Sequence, residues 1–91
     1  MEYIWVVECT EWEEPNLHRT IKGAKEDVEL CLRECYKEYS EDEGWHPSFL
    51  SAALDYLENS YKSAVENGSS YFCCKTDWCG DFYITRILLE D

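Results

Sequence analysis

Six cysteines in 91 residues, at Cys9, Cys31, Cys35, Cys73, Cys74 and Cys79, constrain this chain more than any other feature. A chain this short buries only a modest share of its surface and is marginal without a staple. An even number of cysteines in such a chain reads as three disulfides made in an oxidising compartment, hence as a secreted or extracellular protein. The opening Met1-Glu-Tyr-Ile-Trp-Val-Val has neither a basic segment nor a small-residue cleavage site, so it does not read as a signal peptide. Met1 reads instead as an initiator added to a mature segment. The length allows one domain, residues 1–91.

Hydrophobic spacing divides the chain into elements. Tyr3–Cys9 is rich in β-branched and aromatic residues and reads as a strand, followed by an acidic loop over Glu11–Asn16. Thr20-Ile-Lys-Gly23 reads as a short extended piece. Val28, Cys31, Leu32, Cys35, Tyr36 and Tyr39 form one continuous helical stripe, predicting a helix over about 24–39. Glu41-Asp42-Glu43 lies in a charged break. A second stripe, Leu50, Ala53, Leu54, Leu57, Tyr61, Ala64 and Val65, predicts a helix over about 47–66, stopped by Asn67-Gly68. Segments of about 70–74 and 82–89 read as strands. The expected fold is α+β: two amphipathic helices packed on a small antiparallel sheet of these three strands.

Geometry limits the cysteine pairings. Cys31 and Cys35 are one helical turn apart, with Cβ atoms about 5–6 Å apart, whereas a disulfide needs about 3.5–4.5 Å. These two must bond elsewhere. A Cys73–Cys74 bridge would distort the peptide between them, and on a strand their side chains point to opposite faces. The spacing makes Cys74–Cys79 the natural local loop. For the rest, Cys9–Cys31 with Cys35–Cys73 is preferred, and Cys9–Cys35 with Cys31–Cys73 stays open.

Zinc is the competing use of the thiols. Its structural sites take four thiolates or imidazoles, commonly in pairs two to four residues apart on tight turns. Six cysteines do not divide into one such site, and His18 and His46 read as isolated, solvent-exposed histidines. No metal and no cofactor is expected.

The stretch Cys73-Cys74-Lys-Thr-Asp77-Trp-Cys79 is similar to the C-terminal signature of the three-finger superfamily of snake toxins and urokinase-receptor domains, with Gly80 where that family carries Asn. The resemblance covers about ten residues. It implies a fold of β-fingers and a non-catalytic role in binding receptors, channels or extracellular ligands. It also implies a short Cys74–Cys79 bridge, with Cys73 paired backward in the chain. The same stretch departs from the secreted phospholipases, because Lys75-Thr76-Asp77 lacks their catalytic histidine. The spacing of Cys31, Cys35 and Cys73 resembles insect odorant-binding proteins, which implies a helical carrier of a small hydrophobic ligand.

Charge narrows the partners. A net charge of −12 argues against nucleic acid and anionic membrane surfaces, both of which call for clustered Lys and Arg. No apolar run approaches a membrane span. No Ser-His-Asp or Cys-His arrangement is evident, so the chain is not expected to be an enzyme. Trp12, Trp45 and Trp78 fall in predicted loops beside Glu11, Glu13, Glu14, Glu41, Asp42 and Glu43. Exposed aromatics with an acidic rim suit a protein partner with a basic surface; equally, these indoles could cap a small core. Asn67-Gly68-Ser69 is an N-glycosylation sequon. The expected function is therefore an extracellular protein-binding module, a ligand, toxin, pheromone or receptor-binding effector. An intracellular reduced or zinc-binding domain is the alternative, and a hydrophobic-ligand carrier comes third.

Overall fold

The two most β-prone segments lie at opposite ends of the chain, and the fold is built on their pairing. A computed structural model describes residues 2–89; Met1, the expected initiator, lies outside them. The elements run β1 (Glu2–Cys9), β2 (Asn16–His18), α1 (Ile21–Glu43), α2 (Ser48–Asn67), β3 (Tyr71–Lys75) and β4 (Asp81–Leu89). β1 and β4 pair antiparallel along their whole length, from Glu2↔Leu89 to Cys9↔Phe82. Each adds a hairpin partner on its outer side, giving one sheet in the order β2-β1-β4-β3. The expected α+β class, with two helices packed on an antiparallel sheet, is the one observed. It is a layered arrangement rather than the β-fingers that the cysteine motif implies.

Period-two alternation divides the sheet residues between its faces. Trp5, Val7, Cys9, Phe72, Cys74, Phe82 and Ile84 turn toward the helices and pack against Ala24, Val28, Leu32, Ala53, Leu57 and Ala64. Eight of these side chains, among them Phe82, Leu32, Leu57 and Ile84, are essentially sealed from solvent. At about 1.5–3 kcal/mol for each large apolar side chain, this layer is what holds helices to sheet. The opposite face carries Ile4, Val6, Leu17, Tyr71, Cys73, Tyr83, Thr85 and Ile87, and no element of the described chain covers it.

Three local expectations need correction. Of the expected extended piece only Thr20 is extended, as the N-cap of α1: its hydroxyl accepts from Gly23 N–H at 2.9 Å, and the helix starts at Ile21. At the other end α1 continues through Glu41, Asp42 and Glu43, which were expected to break it. The apolar stripe had run out because this last turn faces solvent, yet Glu is a good helix former. Gly44, at φ +67, ends the helix, with Trp45 N–H bonding Ser40 O at 3.0 Å. The third correction is β2. Asn16-Leu17-His18 has too few residues to show alternation, and it is a strand only because the outer edge of β1 offers backbone partners. The second helix ends as expected at Asn67-Gly68, with Ser69 N–H bonding Ala64 O at 2.9 Å.

Candidate functional site

The turn between β3 and β4 is built by one threonine and one glycine. The Thr76 hydroxyl donates to Gly80 O at 2.6 Å and accepts from Cys79 N–H at 2.9 Å. Thr76 N–H also reaches Asp81 Oδ1 at 3.2 Å. Gly80 has φ +87, and a Cβ there would come within 2.9 Å of both Glu11 Cγ and Thr10 Oγ1. Only glycine meets both the angle and the space. Thr10 then locks the turn to the end of β1, donating its N–H to Asp81 O and accepting Asp81 N–H at its hydroxyl, both at 3.0 Å.

This fixed turn holds Trp78 against the C-terminal end of α1. Its ring lies 5.2 Å from Trp45 and 6.0 Å from Tyr36, the latter edge-on. Trp45 and Tyr36 are 6.3 Å apart, and the Tyr36 hydroxyl donates to Trp45 O at 3.4 Å. Beside the cluster opens a cleft of about 580 Å³. Glu11, Glu43, Asp77 and Asp81 line it together with Tyr39, Trp45, Trp78, Cys35 and Cys79, and no lysine or arginine does.

Of the binding residues expected from sequence, the fold thus gathers Trp45, Trp78, Glu11 and Glu43. Glu41 and Asp42 are exposed on the last turn of α1 and do not line the cleft. Trp12 caps the core instead, edge-on to Phe82 at 5.8 Å, with Glu13 and Glu14 around a smaller recess beside it. Tyr36, Tyr39, Asp77 and Asp81 were not singled out. Tyr36 and Tyr39 sat on the helical stripe and read as core, although Tyr39 is exposed. Asn67 is exposed, its side-chain amide donating to Ser63 Oγ at 3.2 Å.

All six cysteines carry free thiols here. Cys9 and Cys31, the preferred pair, are close enough to influence one another, whereas the neighbours of Cys73, Cys74 and Cys79 differ from those expected. Cys74 is fully buried under α2, its Sγ 3.8 Å from Ala53 O. Cys73 is on the uncovered face beside Tyr71, with the sheet between it and Cys31 or Cys35. Cys79 lies against Cys35, and its carbonyl oxygen is 3.9 Å from Cys9 Sγ. Burial is the first cause of raised thiol pKa throughout: Cys74 is pushed up to about 11, and Cys9 and Cys79 are also raised. Cys31 is pushed up to about 12 by burial and by Asp27, whose Oδ1 its thiol meets at 3.8 Å. These thiols are neutral near pH 7 and make poor nucleophiles.

His18 is not the isolated, exposed histidine expected. Pairing of β2 with β1 brings it over α1, half-buried, with Nε2 2.8 Å from Asp27 Oδ2. Asn16 donates to the same oxygen at 2.9 Å. The carboxylate stands between imidazole and Cys31, so the histidine is not placed to take the thiol proton. His46 is exposed and accepts from Ser48 N–H at 3.1 Å. Among the described residues no three His, Cys, Asp or Glu side chains converge as metal ligands, and no helix is long and apolar enough to cross a membrane. No family model, curated protein or solved structure matches this chain.

Proposed function

We propose that this protein is a secreted or extracellular, non-enzymatic protein-binding module that receives a cationic side chain of a basic partner in the acidic aromatic cleft. The observation that carries the reading is the meeting of Trp45 and Trp78 at 5.2 Å in a cleft bordered by four carboxylates and no cation. An arginine or lysine entering there gains the attraction of an indole face and a charge-assisted hydrogen bond to carboxylate. The net charge of −12 steers such a partner inward. Buried, neutral thiols support a non-catalytic role. The carrier reading is disfavoured because a cleft lined by carboxylates is a poor host for a hydrocarbon ligand. A reduced intracellular domain is the alternative, and the burial of Cys9 and Cys74 as members of the apolar core is what favours it.

Titration with a short peptide of alternating arginine and apolar residues, followed by tryptophan fluorescence at two salt concentrations, tests the reading. Trp78→Ala is expected to weaken binding ~10-fold or more. Glu43→Gln with Asp77→Asn is expected chiefly to slow association and flatten the salt dependence. Unchanged affinity in a folded Trp78→Ala variant sinks the proposal.

A further inference from the structure

Cys35 and Cys79 come from distant parts of the sequence, yet their side chains are near neighbours across the wall of the cleft. Neither position is accidental. Cys79 sits in the turn that Thr76 closes and Gly80 wedges against the end of β1. Cys35 sits two turns from the capped end of α1, on the side bearing Tyr36 and Tyr39. The turn holds its shape without a sulfur bridge of its own, so Cys79 is free to bond outward. We infer that Cys35 and Cys79 form an intramolecular disulfide that latches the β3–β4 turn to α1 and fixes the wall carrying Trp78.

The other sulfurs are poorly placed to compete. Cys74 is sealed between sheet and α2 on Ala53 O, and Cys73 faces away from both helices. Cys9 and Cys31 lie near enough to influence the Cys79 thiol, but Cys35 is the cysteine in hydrogen-bonding contact with it. Cys31 is held by Asp27. A zinc ion shared among Cys9, Cys31, Cys35 and Cys79 is disfavoured because no three such ligands converge among the described residues.

The oxidant is a low-molecular-weight disulfide such as oxidised glutathione. One cysteine thiolate attacks a glutathione sulfur, releasing one glutathione thiolate and leaving a mixed disulfide. The second cysteine attacks the protein sulfur of that intermediate, forming the S–S bond and releasing the second glutathione. The two electrons and two protons lost by the protein end on two glutathione thiols.

The test needs no partner, so its outcome is separate from that of the binding proposal. The protein is equilibrated in glutathione redox buffer, acid-quenched, alkylated and peptide-mapped. A peptide linking Cys35 to Cys79 is expected, with Cys73 and Cys74 alkylated after unfolding. Reduction is expected to lower the melting temperature by ~10 °C or more in the wild type, and Cys35→Ser to remove that part of the shift. A map linking Cys79 to Cys74 or Cys9, or Cys35 to Cys73, overturns the inference. So does a map with both thiols alkylated in excess oxidant.

Discussion

The two faces of the sheet are made by the same strands, residue by alternate residue, yet they are different materials. On the covered face Val7, Cys74, Phe82 and Ile84 are at most 1 % exposed; on the open face Leu17, Tyr71 and Ile87 are 47–60 % exposed. Neighbours in sequence are therefore not neighbours in environment. Cys73 and Cys74 show this most sharply, one open to small reagents and the other sealed under α2. What a residue contributes is set by the side of the strand on which it falls, more than by its type.

The largest test of that contrast is a pair of truncations on β4. Phe82→Ala removes a ring that also supports Trp12 and is expected to cost about 3–5 kcal/mol. Ile87→Ala, on the same strand but facing solvent, is expected to cost less than about 1 kcal/mol. Urea unfolding of both variants checks this. Similar losses at the two sites would mean that something covers the open face in solution.

The adjacent thiols give the next largest effect. The folded-state pKa of Cys74, about 11, lies above the ordinary 9.0, because burial penalises the thiolate. The folded state thus holds the proton more tightly than the unfolded chain. In reduced protein its contribution is fully present below about pH 9 and is lost as pH rises toward 11. The loss is about 2–3 kcal/mol by the upper end. Cys74→Val is expected to flatten the alkaline limb by that amount in urea melts at successive pH values. In native protein Cys73 is expected to be alkylated at least ~100-fold faster than Cys74, which must wait for the core to open.

Much of this was legible in the sequence, for identifiable reasons. The stripes through Val28–Tyr39 and Leu50–Val65 repeat often enough to reveal both helices, and Tyr3–Cys9 could hardly be anything but a strand. Trp45, Trp78, Glu11 and Glu43 were visible as loop aromatics among acids. What could not be read was which segments meet. The pairing of Cys79 with Cys35 depends on which face of β3 Cys74 occupies and on how tightly Gly80 wedges the turn. Both are tertiary facts that leave no periodic signal. For the same reason Tyr39 read as core: a helical stripe says that a side faces inward, not that its last member passes beyond the sheet to a cleft.

A finer comparison uses Val6 and Val7, adjacent and alike. Val7 is fully buried beneath the helices; Val6, only 7 % exposed, is shielded on the open face by Leu17 and Thr85, its register partners. Val7→Ala is expected to cost about 2 kcal/mol and Val6→Ala about 1 kcal/mol, since the shallow site can relax or admit water. Leu17→Ala is expected to expose Val6 and make the subsequent Val6→Ala change cheaper still. Additivity of those two substitutions in thermal melts would argue that β2 does not shield Val6.

The smallest expected effect asks whether charge adds to the apolar hold of the helix layer. Lys25 on α1 lies 2.9 Å from Glu58 on α2 and 3.2 Å from Glu29, with its Nζ 5.3 Å from the Tyr61 ring centre. The hydrogen bond to Glu58 is the first cause of the raised Lys25 pKa, and the same bond holds Glu58 below its ordinary 4.5. The signs follow separately. The lysine contribution is complete below about pH 10.5 and is lost as pH rises through its higher folded value. The glutamate contribution is complete above about pH 4.5 and is lost as pH falls through its lower one. Glu58 is well solvated, so the pair is screened, and a double-mutant cycle of Lys25→Met and Glu58→Gln at pH 7 should return ~0.2–1 kcal/mol, shrinking with salt. A coupling of several kcal/mol would show that the helices are held over the sheet by charge as well as by Val28, Leu32 and Leu57, and the contrast between the two faces would then be one of electrostatics as much as of burial.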